Sequence, residues 1–217
     1  MQLSQIIAEN NIDNLLEMAR TKFEVVFEDV VVGPYKMQIL QIADLENYVD
    51  RLAEESKEKI ELPFWAKIWP ASILLSHYLT SLPAENGNKS IMELGSGIGL
   101  TGLFAARHGF NVILSDNNLQ ALLFAKINIL KNNLQDKARI ECVNFTTERL
   151  KQKFEYIVGS EIFYKENSYR GLIKFLLTHI NSSPASEVLL AADYRRQAKK
   201  FFQAAQKEFR IDQKNIG

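Results

Sequence analysis

The chain has 217 residues, of which 47% are apolar and 24% charged, so it can fold around a large apolar core without disulfides. Basic and acidic residues number 26 each, which argues against a global field that would draw the protein to nucleic acid or to an anionic membrane. With Cys142 as its single cysteine, no basic secretory signal and no apolar run near the roughly 18 residues of a membrane span, we expect a cytoplasmic protein.

The N-terminal part of the chain predicts a small α+β cap on a larger domain. Apolar spacing indicates a helix, two β-rich runs around the turn signal Gly33-Pro34 indicate a hairpin, and a second apolar stripe indicates another helix. In chain order, these predicted elements cover residues 1–20, 23–27, 35–42 and 43–55. We expect residues 1–60 to form the cap, packed near the carboxyl edge of the main sheet, and residues 61–217 to form the main domain.

The rest of the chain alternates short buried strands with helices. Pro70 suits the first position of a helix because its φ angle is already helical. The predicted strands cover residues 90–94, 112–115, 139–145, 156–160 and 188–192, with a possible sixth strand at 209–211. This alternation predicts an α/β fold with a doubly wound, mostly parallel, Rossmann-like sheet in the order 3-2-1-4-5 and helices on both faces.

A glycine-rich turn follows the first strand of this domain. Gly95, Ser96, Gly97 and Gly99 lie where the strand passes into a helix, so the backbone can turn tightly and approach a ligand. The helix N-terminus adds free N–H groups and the positive end of a dipole. Asp116 ends the next strand, where a carboxylate can accept hydrogen bonds from both hydroxyls of a ribose. The pattern therefore predicts a nucleotide-like cofactor at this edge.

Two cofactors fit this turn. Gly97, Gly99 and Gly102 match the dinucleotide fingerprint, so an NAD-binding oxidoreductase is one hypothesis. Glu93 opposes it, because a carboxylate two residues before Gly95 repels a pyrophosphate but can meet the α-amino group of a methionine moiety. A tight turn that binds no ligand is the remaining alternative.

Three segments resemble one enzyme family. Residues 93–99 resemble motif I of the seven-β-strand S-adenosylmethionine methyltransferases, and Asp116 falls at the position of that family's ribose-binding acid. Residues 63–70 resemble the tryptophan-containing segment of the nicotinamide N-methyltransferase-like group, which includes many protein-lysine methyltransferases. Residues 161–164 match the (Asp/Glu)-x-x-Tyr signature after the fourth strand in that group. Within the group, the sequence looks most similar to the electron transfer flavoprotein β-subunit lysine methyltransferases and their bacterial relatives.

This resemblance implies an S-adenosylmethionine-dependent N-methyltransferase that acts on a protein lysine side chain. It implies Glu161 and Tyr164 as catalytic residues and S-adenosyl-L-methionine as the cofactor. The implied cofactor-binding residues are Trp69, Glu93, Gly95, Ser96, Gly97, Gly99, Asp116, Asn117, Asn144, Phe145 and Ser160.

One pair departs from the family pattern. Many relatives carry Asp-Trp at the end of the third strand, where the acid meets the adenine amino group, and this chain has Asn144-Phe145. Asn144 can still accept from that amino group through its carbonyl oxygen, and Phe145 can still stack.

The reaction needs orientation more than chemical activation, because the sulfonium already makes the methyl group electrophilic. Glu161 can attract and orient a cationic amine, and Tyr164 can add a hydroxyl contact and an aromatic wall. The structural alternative is that Glu161 caps the next turn and Tyr164 is half-buried core. No metal is expected, because the three histidines show no ligand spacing with Cys142.

Other functions remain open. A small-molecule amine methyltransferase has the same fold, and a closed lid over the pocket would favour it, whereas an open groove would favour a protein substrate. A cofactor-binding protein without catalysis is disfavoured by Glu161 and Tyr164. Nucleic-acid methylation is disfavoured because no Asn/Asp-Pro-Pro-Tyr/Phe element follows the fourth strand and no basic arm is present.

Overall fold

The computed structural model describes residues 2–55, 62–83, 89–163, 166–193 and 198–215. The N-terminal part of the described chain contains three helices and a hairpin. These elements are α1 (Leu3–Ala8), α2 (Ile12–Arg20), β1 (Val25–Val32), β2 (Tyr35–Ile42) and α3 (Leu45–Glu55). The main domain follows with α4 (Pro70–Ser81), β3 (Ser90–Leu94), α5 (Leu100–Arg107), β4 (Asn111–Asp116), α6 (Leu119–Lys131), β5 (Ala138–Cys142), β6 (Tyr156–Ser160), α7 (Tyr169–His179), β7 (Glu187–Ala191) and α8 (Lys199–Ala205).

The predicted single helix over residues 1–20 is wrong, because the chain breaks it into α1 and α2. Asn11 has an extended backbone, and its side chain accepts from Asp13 N at 2.9 Å to cap α2. Glu9 Oε1 in turn accepts from Asn11 N at 2.7 Å. Short polar side chains that hydrogen-bond to the nearby backbone compete with a continuous helix. Here these hydrogen bonds separate α1 from α2.

The predicted hairpin is confirmed. Strands β1 and β2 pair antiparallel from Val25 opposite Ile42 to Val32 opposite Tyr35, and Gly33 takes a left-handed φ of 55° in the turn. Strand β1 is longer than predicted, because its pairing with β2 continues through the exposed Glu28 and Asp29 to Val32.

The main sheet has the order β5-β4-β3-β6-β7, with every described pairing parallel. Counted within the domain, this is the predicted order 3-2-1-4-5, so the predicted α/β fold is confirmed. Helices α4, α5 and α6 pack in the apolar core on one face, and α7 and α8 pack in the core on the other. The strands can be so uniformly apolar because both faces are covered.

Two strand predictions need correction. Strand β5 ends at Cys142 rather than residue 145, because the carbonyl of Asn144 accepts from Thr147 N and Glu148 N and the chain turns there. The predicted sixth strand at 209–211 is absent from the described residues. Phe209 N instead donates to Ala205 O at 2.8 Å, which extends the last turn of α8.

The N-terminal elements pack mainly on the outer side of α4, α5 and α6 rather than at the carboxyl edge of the sheet, where we expected them. Near that edge, Phe23, just before the hairpin, contacts Trp65 and Phe124, and Tyr48 of α3 packs on Phe23. At the hairpin's other end, the Tyr35 hydroxyl lies 2.9 Å from Nδ1 of His108, which follows α5. The apolar side of β2 explains this position, because it needs a long apolar surface to cover it.

The division of the chain near residue 60 stays a prediction, since residues 56–61 lie outside the described residues and one apolar core joins the two parts. In the part of the chain that the structure describes, no helix is both long enough and apolar enough to cross a membrane.

Candidate active site

A cleft opens at the carboxyl edge of the sheet, where parallel α/β sheets bind ligands. Three chain segments line it: the stretch before and into α4, the glycine turn after β3, and the end of β6. The polar, charged and aromatic side chains among the lining residues are Phe64, Trp65, Lys67, Trp69, Ser72, Ser96 and Ser160. The structure thus brings the predicted residues Trp69, Ser96, Gly97 and Ser160 to one place.

The glycine turn requires its glycines. Gly95, Gly97 and Gly99 have φ angles of 60°, 54° and 89°, in the left-handed region that side chains disfavour. A Cβ built on Gly97 would lie 2.5 Å from the Trp65 carbonyl oxygen, so the segment before α4 packs directly against the turn. Within the described residues, the buried Ser96 hydroxyl has no hydrogen-bond partner, as expected of a group that meets a ligand.

Asp116 is tied to this turn. Its Oδ2 accepts from Gly97 N at 3.0 Å, and its Oδ1 accepts from Asn118 N at 2.9 Å. Burial raises the pKa of Asp116, while the hydrogen bonds from Asn118 and Gly97 oppose the rise. Asn117, also predicted to bind the cofactor, follows β4 and is exposed. The carboxylate therefore stands at the end of β4 and already fixes the glycine turn.

Glu93 lies beneath the turn rather than on its surface. The residue is 2% exposed, and Oε2 accepts from Gly102 N, in the first turn of α5, at 2.8 Å. Burial raises the pKa of Glu93 to about 8. The geometry gives Glu93 a role in holding the start of α5, and its contact with an α-amino group stays a prediction.

Replacing Glu93 by glutamine should flatten the dependence of stability on pH. Between about pH 4.5 and 8, the folded protein keeps a proton on Glu93 that the unfolded chain releases, so stability falls as pH rises. One such proton changes the free energy of unfolding by about 1.4 kcal/mol per pH unit. Glutamine can still accept from Gly102 N but does not titrate. Relative to wild type, the variant should gain a few kcal/mol across this interval, measured by urea unfolding at about pH 5, 7 and 9.

The control for this measurement is Glu208→Gln, which changes an exposed glutamate. Its stability should follow the wild-type pH profile. Parallel profiles for wild type and Glu93→Gln would contradict the buried, protonated state of Glu93.

Glu161 follows β6 in a strained conformation. Its φ of 55° is rare for a residue with a side chain and costs on the order of 1 kcal/mol or more. Glu161 N donates to Ala191 O at 2.9 Å, and Oε1 accepts from Asp193 N at 2.7 Å, so the residue is clamped to the chain after β7. The next side chain, Ile162, packs against Gly95, whose built Cβ would lie 3.2 Å from it. This strained, clamped acid beside the glycine turn suits a functional site.

The structural alternative for Glu161 is partly realised, because the side chain accepts a backbone amide beyond β7. Its catalytic role stays a prediction. The second predicted catalytic residue, Tyr164, lies outside the described residues.

The two tryptophans differ in their contacts. Trp69 is half-buried in the cleft wall, and its Nε1 donates to Phe64 O at 3.2 Å. Lys67 Nζ lies 5.0 Å from the centre of the Trp69 ring. Trp65 packs inward against Phe124, with ring centres 5.1 Å apart. Both tryptophans line the cleft, and Trp65 also joins the site to the core. The contact of Trp69 with the cofactor stays a prediction.

Asn144 and Phe145 are not among the residues that line this cleft. Asn144 Oδ1 accepts from the backbone N of Thr146 at 3.1 Å and from its hydroxyl at 2.6 Å, so this oxygen already serves its own turn. Phe145 packs against the core on the α7 side of the sheet. Their contact with an adenine ring stays a prediction.

Sequence reasoning did not single out Lys67 and Ser72 of the cleft or Asn128 behind it. Lys67 could have been noticed as the only charge in the aromatic segment at 63–70. Asn128 could have been noticed as a polar residue in a helix whose neighbouring positions are apolar. Among the described residues, no group of three or more histidine, cysteine, aspartate or glutamate side chains could hold a metal ion.

The comparisons with known proteins identify the family of the chain. A sequence model of the family described as lysine methyltransferase matches residues 45–208. The protein N-lysine methyltransferase METTL21A of Xenopus tropicalis is 30% identical over 155 residues, which cover 69% of this chain and 70% of that relative. The electron transfer flavoprotein beta subunit lysine methyltransferase of Mus musculus is 34% identical over 106 residues, which cover 48% and 41%.

A solved structure shares the fold. The TehB-like SAM-dependent methyltransferase of Corynebacterium glutamicum superposes with a TM-score of 0.52 at 16% identity and covers 75% of this chain and 81% of its own. Fold and glycine turn define an S-adenosylmethionine-dependent methyltransferase of the seven-β-strand class. The chain belongs to the lysine methyltransferase family. The resemblance seen in the sequence is confirmed, and with it the cofactor.

The residues at the cleft fit S-adenosylmethionine. The left-handed glycines let the backbone approach a ligand closely, and the buried Ser96 hydroxyl can still make a hydrogen bond. Asp116 is 8% exposed at the end of β4 and accepts from Gly97 N, and its contact with the ribose stays a prediction. S-adenosylmethionine, rather than the NAD of an oxidoreductase, is therefore the cofactor of this family's glycine turn.

Proposed function

We propose that this enzyme methylates the ε-amino group of a lysine in a protein substrate. The observation that carries the proposal is the open rim of the cleft. Phe64 is 52% exposed and Lys67 is exposed beside it, so the described rim offers an apolar and a cationic contact to an incoming chain. Exposed aromatic residues such as Phe64 are typical contacts for a protein partner.

The position of the N-terminal elements supports the same proposal. In the described chain, α1, α2 and most of the hairpin pack on the outer side of helices α4 to α6, while Phe23, just before the hairpin, contacts Trp65 in the cleft wall. A small amine would favour a closed lid, whereas a lysine on a protein loop needs an open groove. The METTL21A relative is named as a protein N-lysine methyltransferase, and the mouse relative as a lysine methyltransferase of a flavoprotein subunit.

When bound, S-adenosylmethionine supplies a methyl group that its sulfonium makes electrophilic. Ser96 and the turn at Gly97 would hold the methionine end, and Asp116 the ribose. Glu161 attracts the lysine ammonium to the carboxyl edge and orients the amine once its proton has passed to water. Trp69 bounds the cleft and helps to exclude water from it.

We also propose that the enzyme acts in the cytoplasm on proteins rather than on nucleic acids or membranes. Its single cysteine, Cys142, is free and half-buried, and a reducing compartment suits such a chain. The balanced charge gives no general attraction to phosphate-rich surfaces.

Labelling of a lysate from the protein's own host tests the proposed function. The enzyme and S-adenosylmethionine with a radioactive methyl group are incubated with lysate, and proteins are separated from small molecules. Label should enter discrete protein bands with wild-type enzyme and be strongly reduced with Glu161→Gln. Label confined to the small-molecule fraction would instead indicate a small amine as the acceptor.

A further inference from the structure

A buried asparagine joins the hairpin to the glycine turn. Asn128 lies on α6 and is 0% exposed, among apolar neighbours. Its Oδ1 accepts from Leu40 N on strand β2 at 2.7 Å. Its Nδ2 donates to the carbonyl of Ile98, inside the glycine turn, at 3.1 Å. One side chain therefore contacts both the N-terminal hairpin and the cofactor turn.

These two hydrogen bonds suit the amide of Asn128, which both donates and accepts. The Leu40 N–H can only donate and the Ile98 carbonyl can only accept, so the side chain must present an acceptor to one and a donor to the other. Leucine, of similar size, can do neither, and an aspartate carboxylate can only accept. Burying an apolar residue at this position would cost less free energy than burying an amide. The amide therefore indicates a role that depends on the direction of its hydrogen bonds.

The Ile98 carbonyl is a sensitive point in the turn. It lies between Gly97 and Gly99, both with positive φ, where the absence of side chains leaves the intervening peptides free to rotate. On the other side of the same peptide, Gly99 N donates to Ser96 O at 2.8 Å. A hydrogen bond to the Ile98 carbonyl therefore selects one orientation of the peptide group between Ile98 and Gly99.

The N-terminal elements reach the turn by a second route. Phe23, just before β1, packs edge-on against Trp65 with ring centres 5.6 Å apart. The Trp65 carbonyl lies so close to Gly97 that a Cβ there would be 2.5 Å from it. The turn is thus supported at Gly97 and at Ile98 by groups that the N-terminal elements contact.

We propose that Asn128 is a positioning residue for cofactor binding. With strand β2 as its anchor, it holds the Ile98 peptide so that the turn is already shaped for the methionine end of S-adenosylmethionine. A turn fixed before binding loses less conformational entropy when the cofactor binds. This role depends on the cofactor and not on the identity of the methyl acceptor.

Asn132 provides a matched control, one helical turn further along α6. Its Nδ2 donates to Gln38 O at 2.8 Å and to the backbone O of Asn128 at 2.9 Å, and its Oδ1 accepts from Gln38 N at 3.1 Å. It joins the same helix to the same strand, but its hydrogen bonds do not reach the glycine turn. Loss of Asn132 should loosen the hairpin without releasing the Ile98 carbonyl.

The test compares Asn128→Leu with Asn132→Leu. Affinity for S-adenosylhomocysteine is measured by calorimetry, and exchange of the Gly99 amide hydrogen by NMR. Asn128→Leu should weaken binding roughly tenfold, the usual effect of losing one buried hydrogen bond, and should speed Gly99 exchange. Asn132→Leu should leave both unchanged even where it lowers the melting temperature.

Asn128→Asp separates the turn from the hairpin. Its ionised carboxylate can still accept from Leu40 N but brings no hydrogen to the Ile98 carbonyl. Because burial favours the neutral acid, which can still donate, the affinity of this variant relative to wild type should fall as the pH is raised, while Leu40 exchange stays as slow as in wild type at the same pH. Wild-type affinity in both Asn128 variants, or an equal loss of affinity in Asn132→Leu, would overturn the proposal. Because S-adenosylhomocysteine binding needs no methyl acceptor, these results are independent of the labelling experiment.

Discussion

Replacing Glu161 by glutamine should lower kcat/KM by about 100-fold or more while leaving the affinity for S-adenosylhomocysteine almost unchanged. Glutamine keeps the size of the side chain and can still accept from Asp193 N, so the strained turn should survive. What disappears is the negative charge that draws in a lysine ammonium and keeps the amine in line for attack. Orientation is most of what this reaction needs from the protein, so the loss should be large. Steady-state kinetics and calorimetry on the same preparation measure the two quantities.

The matched control is Glu187→Gln, an exposed glutamate at the start of β7, far from the carboxyl edge. It should have wild-type kinetics. Full activity in Glu161→Gln would make Glu161 a structural residue that only joins the ends of β6 and β7. Equal losses of activity and cofactor affinity would place it in the cofactor site instead.

Replacing Asp116 by alanine should weaken S-adenosylhomocysteine binding by roughly 1 to 3 kcal/mol, or about 5- to 150-fold. Two effects combine. The ribose loses a charged acceptor for its hydroxyls, and Gly97 N loses the acceptor that ties the glycine turn to β4. Calorimetry with S-adenosylhomocysteine measures the loss, and the same titration with NAD should show no binding to wild type.

Asp116→Asn separates these two effects. Its one side-chain oxygen can still accept from Gly97 N, so the turn should keep its shape, but the charge at the ribose and the acceptor for Asn118 N are lost. Its affinity should lie between those of wild type and Asp116→Ala. Unchanged affinity in Asp116→Ala, or NAD binding by the wild-type protein, would show that Asp116 does not hold the ribose of this cofactor.

The parallel sheet could be predicted because buried strands leave a direct mark on the sequence. Residues 156–160 are a short apolar run with no polar face, and they form β6 without a change in bounds. The break between α1 and α2 was missed because Glu9 and Asn11 decide it through local hydrogen bonds that hydrophobic spacing does not register. The position of the hairpin was missed because it depends on tertiary contacts with α5 and α6.

The candidate site, like the fold, could be predicted from the sequence only in part. The glycine turn and Asp116 could be found because both follow strand ends at a known spacing. The sequence placed Glu93 at a strand end, but only the three-dimensional structure shows that the first turn of α5 folds over it and buries its carboxyl group. Asn128 belongs to no motif, and its importance becomes visible only when Leu40 and Ile98 are seen on either side of it.

The central claim is that the methyl group reaches a lysine of a protein, and the most direct measurement is the identity of the methylated amino acid. Protein labelled by the wild-type enzyme is hydrolysed to amino acids, which are separated beside methyllysine and methylarginine standards. The account predicts that the radioactive label migrates with methyllysine and is strongly reduced when Glu161→Gln is used. Label that migrates with methylarginine, or that is recovered only in a small-molecule amine, would contradict it.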